Sequence, residues 1–179
     1  AAQELAFVRA EAQRLGVSFL PAAEGFRNLV AAAKGTEIAG AGVRTIFTAI
    51  TEASRVMGLG TDQTSRVLVG IQQIMGKGVV QMEEWRQQIG EALPQATQVM
   101  ARALGVTTQE FFKMVEQGRV GLPELVRFAE QLRREVADGV ATAAQPFLGE
   151  TARMGTAWTE LMASLGTLSF SFTFGAGLL

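Results

Sequence analysis

The stretch TDQTSRVLVGIQQIMGKGVVQMEEWRQQIGEALPQATQVMARALGVTTQEFFKMVEQGRV, residues 61–120, alternates apolar patterns of helical period with turn and cap signals. Its first pattern puts apolar residues at i, i+1, i+4, i+7 and i+8, which is one stripe of a helix: Val67, Leu68, Ile71, Ile74 and Met75. Thr61 is the expected N-cap of this helix. Gly76 and Gly78 are expected to end it.

A second pattern follows with apolar spacings of three and four: Met82, Trp85, Ile89 and Leu93. The polar residues between them are expected to face solvent on the opposite side of a short helix: Glu83, Glu84, Arg86 and Gln87. The pattern therefore predicts that Trp85 lies in the core.

Two further helices complete the stretch, and both carry clear end signals. Pro94 suits a first turn and Gly105 a left-handed C-terminal residue, so a helix is predicted over 94–104. Thr107 and Glu110 have the spacing of a capping box, in which each side chain bonds the other residue's backbone N–H. This box predicts a helix start at residue 108.

The same analysis, extended outward, predicts an all-α chain: an array of short helices, then one long helix with a kink or break, then an apolar C-terminal segment. The predicted helices are 2–15, 18–34, 43–57, 62–75, 81–92, 94–104, 108–117 and 122–165. The corresponding division is a multi-helix domain over 1–120, a long helix over 121–165 and an apolar segment over 166–179. Because Ala1 lies inside a helical pattern without an initiator Met, the chain is expected to be a piece of a longer protein.

The runs KGVVQMEEWRQQIGEALP, residues 77–94, and ARALGVTTQEFFKMVEQGRV, residues 101–120, resemble the tape-measure domain of long-tailed bacteriophages. The similarity extends from about residue 15 to about residue 165. It implies a structural protein that lies in the tail lumen of the virion, sets tail length by its own length and leaves ahead of the genome. It also implies assembly in the host cytoplasm, and contacts with tail tube and tail tip proteins, a tail assembly chaperone and the host membrane.

The composition excludes several classes of chemistry. The 179 residues contain no Cys, His or Tyr, which removes disulfides, thiol nucleophiles, histidine acid–base catalysis and the usual zinc ligands. The 16 basic and 17 acidic side chains are interspersed, so no specific nucleic-acid partner is expected. Glu83, Glu84 and Glu91 form the one carboxylate cluster that a hydrolase could use, but the adjacent Glu83 and Glu84 cannot face each other across a substrate, and a solvated helix face is the expected role. No cofactor, no metal and no enzymatic activity are predicted.

The long helix has apolar residues at alternating steps of four and three that sum to eleven, a repeat that keeps a seam on one side of a helix. The seam includes Leu125, Leu132, Val136, Phe147, Trp158 and Leu165. One interpretation is a contact between copies of the chain, with a trimer as first choice and a hexamer as second, as the family resemblance implies. The alternative is an ordinary amphipathic helix packed on its own domain. Pro146 is expected to kink or break the helix between residues 142 and 146.

The last 19 residues, LMASLGTLSFSFTFGAGLL, carry no charge and approach the length of a membrane-spanning helix. Phe170, Phe172 and Phe174 alternate with hydroxyl residues, which favours strand periodicity over helix periodicity. The run has three interpretations: a membrane span, a buried contact between copies, or the start of a longer apolar region. For the first of these, the phenylalanines are candidate membrane contacts. They support an alternative function as a membrane-active or pore-forming helical module. A third hypothesis is a helical adaptor that binds a partner through a surface of Met82, Trp85, Phe111 and Phe112.

Overall fold

The computed structural model describes residues 2–140 and 142–143, and within them the regular structure is helical, as the sequence predicts. Seven helices precede the last one: α1 Ala2–Leu15, α2 Phe19–Ala32, α3 Ala41–Met57, α4 Thr61–Lys77, α5 Met82–Gly90, α6 Ala96–Leu104 and α7 Thr108–Glu116. The last, α8, begins at residue 122 and continues over 122–140 and 142–143. The start of the predicted long helix is therefore confirmed.

Helix α3 is the centre of the bundle. Nine consecutive residues, 46–54, are buried, so the helix is surrounded on all sides and has no solvent-facing stripe. On one side Glu4 and Arg14 of α1 bond Arg44 and Glu52. Because both pairs rise in residue number together, α1 and α3 run in the same direction.

Helix α8 runs along another side of α3, also in the same direction. A Cβ added to Gly42 would lie 3.2 Å from Val126, and one added to Gly139 would lie 2.6 Å from Val56. Between these points the Arg133 Nε lies 2.9 Å from Glu52. The glycines on each helix allow this close approach.

Two aromatic clusters lie in the core and join different sets of helices. Phe7, Phe26 and Phe47 join α1, α2 and α3, with ring centroids 5.1–6.1 Å apart. Trp85, Phe111 and Phe128 join α5, α7 and α8, and the Trp85 ring lies 5.1 and 5.3 Å from the two phenylalanines. Both clusters have the tilted or edge-to-face geometry that aromatic rings prefer.

Helix α5 departs from regular α geometry. Its first residues, Met82–Glu84, are α-helical, and Trp85–Gly90 form a π-helix in which the Glu91 N–H donates to the Arg86 carbonyl at 3.2 Å. The predicted spacing of Trp85 and Ile89 is kept, and both are fully buried. An apolar spacing of four fits both helix types, so the sequence pattern could not reveal the wider turn.

Several helix ends differ from the prediction by one or two residues, and in three places the residue that marks the end is not the expected one. The N-cap of α4 is Gly60, not Thr61, and its N–H donates to Gln63 Oε1 at 3.1 Å. Gly76 lies within α4, and Gly78, with φ +77°, ends it. Helix α6 begins at Ala96, two residues after Pro94, because residues 91–95 form a turn.

The capping box of α7 is confirmed. The Thr107 Oγ1 accepts from the Glu110 N–H at 3.2 Å, and Glu110 Oε2 accepts from the Thr107 N–H at 2.8 Å. A similar contact starts α8, where Glu124 Oε2 accepts from the Gly121 N–H at 2.9 Å. Each carboxylate satisfies a backbone donor that the first turn of a helix leaves free.

Two glycines of α4 provide a matched test of the packing. We expect Gly70→Ala to lower the free energy of unfolding by about 1–3 kcal/mol, since its new Cβ would lie 2.9 Å from the Gln88 Cβ and force α4 away from α5. We expect Gly76→Ala, with nothing within 4 Å of its Cβ, to raise it by about 0.5 kcal/mol through helix propensity. Urea titrations followed by circular dichroism measure both. Equal effects of the two substitutions would contradict the close approach at Gly70.

Candidate interaction surfaces

The first half of the predicted seam faces the chain's own core. Leu125, Leu132 and Val136 expose 0%, 1% and 4% of their surface and belong to the main hydrophobic cluster. A contact between copies needs these side chains on the surface, so in this fold α8 behaves as an amphipathic helix packed on its own domain. The eleven-residue period describes which side of α8 is apolar, and the neighbouring helices cover that side.

The second half of the seam, Phe147, Trp158 and Leu165, lies outside the described residues. The candidate membrane contacts Phe170, Phe172 and Phe174 and the predicted break at Pro146 also lie outside them. In the part that is described, none of the helices combines the length and apolarity needed to cross a membrane.

The four residues of the predicted adaptor surface do not form an exposed surface. Trp85 and Phe111 are fully buried, whereas Met82 and Phe112 are partly buried and pack against the core. The Trp85 Nε1–H donates to Thr97 Oγ1 at 3.1 Å, so even its polar atom has an internal partner. The prediction that Trp85 is a core residue is therefore confirmed, and the adaptor hypothesis is wrong for this surface.

Glu84 corrects the expected solvent-facing side of α5. Glu83, Arg86 and Gln87 are exposed, but Glu84 exposes only 6% of its surface and pairs with Lys77 from the end of α4. The hydrogen bond from Lys77 lowers the pKa of the Glu84 carboxyl, against the opposing effect of burial. Sequence spacing missed this pair because its two members lie on different helices.

The pKa of Glu84 predicts an acid-sensitive contact. A carboxyl whose pKa is lower in the folded state stabilises the fold at pH values above its unfolded-state pKa of 4.5. It loses that contribution as the pH falls through its folded-state pKa. We expect Glu84→Gln to lower stability at pH 7 and to flatten the decline in stability below pH 4.5. Urea midpoints between pH 3 and 7 measure this, with the exposed Glu83→Gln as matched control. Parallel pH profiles for Glu84→Gln and the unmodified chain would contradict the assignment.

The most connected buried charge is Glu52 on α3, which the sequence analysis did not select. It exposes 5% of its surface, and its carboxylate contacts Arg14 Nη2 at 2.7 Å and Arg133 Nε at 2.9 Å. Arg14 also bonds Glu11 on its own helix at 2.6 Å. A single carboxylate thus joins α1, α3 and α8. A glutamate within an apolar helical pattern is only a weak indication of a buried ion pair, and the pattern does not predict which residues pair with it.

Two features of the described residues bear on the binding of ions and small molecules. No group of three His, Cys, Asp or Glu side chains there has an arrangement that could hold a metal ion. A hollow of about 320 Å³ lies between α2, α3 and the start of α4, and hydroxyl side chains and Arg55 line it. Arg55 Nη2 donates to the Ala143 carbonyl at 3.0 Å. The described part of the chain is therefore an all-α helical domain, in which charged and aromatic side chains join the helices to one another.

The chain belongs to the tape measure protein family, whose family profile matches residues 1–167. It is similar to a probable tape measure protein of Salmonella phage Felix O1, with 28% identity over 114 residues. This alignment covers 64% of the chain and 15% of the phage protein, so the chain spans a small part of its relative's length. No solved structure matches the chain.

Proposed function

We propose that this chain is a structural segment of a phage tail or tail-like particle, within a longer protein that sets tail length and leaves the tail during genome delivery. Membership of the tape measure protein family supports the structural role in a phage tail. The single observation that carries the proposal is the family match over residues 1–167 of a chain of 179.

The contacts between the described helices fit a structural role. Their buried charges, Glu52 and Glu84, pair with arginine and lysine side chains that hold helices together. The 16 basic and 17 acidic side chains are interspersed along the sequence, which does not favour a dedicated nucleic-acid-binding domain. The proposal includes association of several copies, in the lumen of a tail tube, with tail tube and tail tip proteins and an assembly chaperone as partners.

Tail length tests the finer part of this proposal. A phage whose gene carries an in-frame duplication of this segment is expected to make longer tails. A fully helical insert of the 179 residues adds at most about 270 Å at 1.5 Å per residue. Electron microscopy of purified particles measures the change, and an equally long duplication in a virion protein outside the tail is the control. Unchanged tail length in viable particles contradicts a length-setting role for the segment.

The uncharged run of residues 161–179 favours a second candidate, membrane activity during genome delivery. Leakage of dye-filled liposomes tests it. The full chain is expected to cause leakage, and a variant with Phe170, Phe172 and Phe174 replaced by serine is expected to cause little. Equal leakage by the two proteins contradicts a membrane contact through these phenylalanines.

A further inference from the structure

The hollow between α2, α3 and the start of α4 is lined by two residues whose buried polar atoms lack a partner. These atoms are Ser54 Oγ and Arg55 Nε, on consecutive residues of α3, and neither has a hydrogen-bond partner within residues 2–140 and 142–143. They are two of the four such side-chain atoms in those residues. Ser54 exposes only 4% of its surface. Since buried polar groups nearly always have a partner, this pair suits a ligand that supplies one.

The starts of two helices lie at the same hollow. Ser18, the N-cap of α2, and Gly60, the N-cap of α4, both line it. The Ser18 side chain makes no capping bond, so it is available to a ligand. The first turn of a helix has free backbone N–H groups and a partial positive charge, both of which favour an anion. Asp62 in the first turn of α4 is exposed and does not line the hollow.

The side-chain charge at the hollow also favours an anion. Among the described residues that line it none is acidic, and Arg55 is the one that carries a charge. Its Nη2 donates to the Ala143 carbonyl at 3.0 Å, and the ion pairs of the described helices do not include it. The carbonyls of Ser54 and Arg55, at the end of α3, accept from the N–H groups of Leu59 and Gly58. These carbonyls are therefore satisfied within the chain.

We propose that this hollow binds the phosphate group of a phosphate monoester. Donors come from the starts of α2 and α4 and from α3, and a phosphate group offers three acceptor oxygens, whereas a carboxylate offers two in one plane. Val17, Pro21 and Leu59 supply an apolar wall for the organic part of the ester. The volume of about 320 Å³ suits a small ligand. The site goes beyond the structural role proposed above, and its failure would leave that role unchanged.

Isothermal titration calorimetry of the full chain tests the class of ligand. Phenyl phosphate is expected to bind one molecule per chain, about threefold or more tighter than inorganic phosphate, because its ring contacts the apolar wall. Acetate at the same ionic strength is expected to bind at least about tenfold more weakly than inorganic phosphate, since it has fewer acceptors and a smaller charge.

Substitution of Arg55 tests the place of binding. Arg55→Gln is expected to weaken phenyl phosphate binding at least about tenfold, because it removes the charge that the phosphate would contact. Arg55→Lys keeps the charge without the planar fork of donors, so its effect is expected to be smaller. Arg66→Gln is the matched control, because Arg66 is an exposed arginine of α4 that does not line the hollow. This control is expected to bind as the parent does.

Substitution of Ser54 adds a readout that does not depend on charge. In chloride buffer, Ser54→Ala is expected to keep or raise the urea midpoint, because it removes a buried hydroxyl that has no partner among the described residues. Phenyl phosphate is expected to raise the midpoint of the parent by binding the folded state. The same concentration is expected to raise the midpoint of Ser54→Ala by less, since one bond to the ligand is lost.

Vesicle sedimentation distinguishes two sources of the phosphate monoester, a soluble ester and a lipid head. The full chain and Arg55→Gln are compared on phosphatidylcholine vesicles with and without phosphatidate. Phosphatidate-dependent sedimentation that Arg55→Gln abolishes supports a lipid head as the ligand. Sedimentation that Arg55→Gln leaves unchanged, together with phenyl phosphate binding, supports a soluble ester.

Three results overturn the proposal. The first is the absence of saturable heat with both phosphate probes, or binding of acetate as tight as that of phosphate. The second is equal weakening by Arg55→Gln and Arg66→Gln, which would show a general effect of charge. The third is a lower urea midpoint for Ser54→Ala in chloride, which would show that the hydroxyl has a partner within the chain.

Discussion

Replacing Trp85 with alanine is expected to lower the free energy of unfolding by about 3–5 kcal/mol, the range for removing a large aromatic side chain from a packed core. The side chain is fully buried, and its ring lies between Phe111 of α7 and Phe128 of α8. Its loss leaves a cavity where three helices meet and removes the hydrogen bond to Thr97. The largest single effect is therefore expected at this position.

Two controls separate these contributions. Trp85→Phe keeps much of the aromatic packing but loses the donor to Thr97, so its effect is expected to be smaller than that of alanine. Gln87→Ala, at an exposed position two residues away, is expected to change stability by less than about 0.5 kcal/mol. Urea denaturation of the full chain measures all three. An unchanged midpoint for Trp85→Ala would show that the indole is not part of the core.

Replacing both arginines that contact Glu52 with alanine is expected to lower the free energy of unfolding by about 2–4 kcal/mol. This effect is expected to exceed the sum of the effects of the two single substitutions. After Arg14→Ala or Arg133→Ala alone, the carboxylate keeps one cation. After the double substitution a buried carboxylate has none, which is the condition under which breaking a buried ion pair is most costly. We do not expect the larger loss of stability that a fully enclosed unpaired charge would cause. Both arginines are partly exposed, so their removal lets water reach the Glu52 carboxylate.

A third substitution distinguishes charge from lost packing. Adding Glu52→Met to the double variant removes the unpaired carboxylate while keeping similar volume, and it is expected to recover part of the lost stability. Arg27→Ala, from the exposed pair with Glu24, is the control for removing a surface arginine. If the two single effects add up to the double effect, and Glu52→Met recovers nothing, the network does not stabilise the bundle as described.

Local signals in the sequence determined most helix positions. The apolar stripe of α4, the capping box of Thr107 and Glu110, and the left-handed Gly105 each act within one or two helical turns. Such interactions depend on residues close in sequence, so spacing alone reveals them. Trp85 was identified as core in the same way, from its spacing to Met82 and Ile89.

The tertiary structure alone decided which apolar and charged residues meet. The apolar period of α8 showed that Leu125, Leu132 and Val136 share a side, but either a second copy or the same chain could cover it, and only the packing of the other helices places them in the core. Glu52 meets Arg14 and Arg133 across 38 and 81 residues of sequence. A periodic pattern specifies the direction in which a side chain points and not the helix that it meets, because that choice depends on how all the helices pack together.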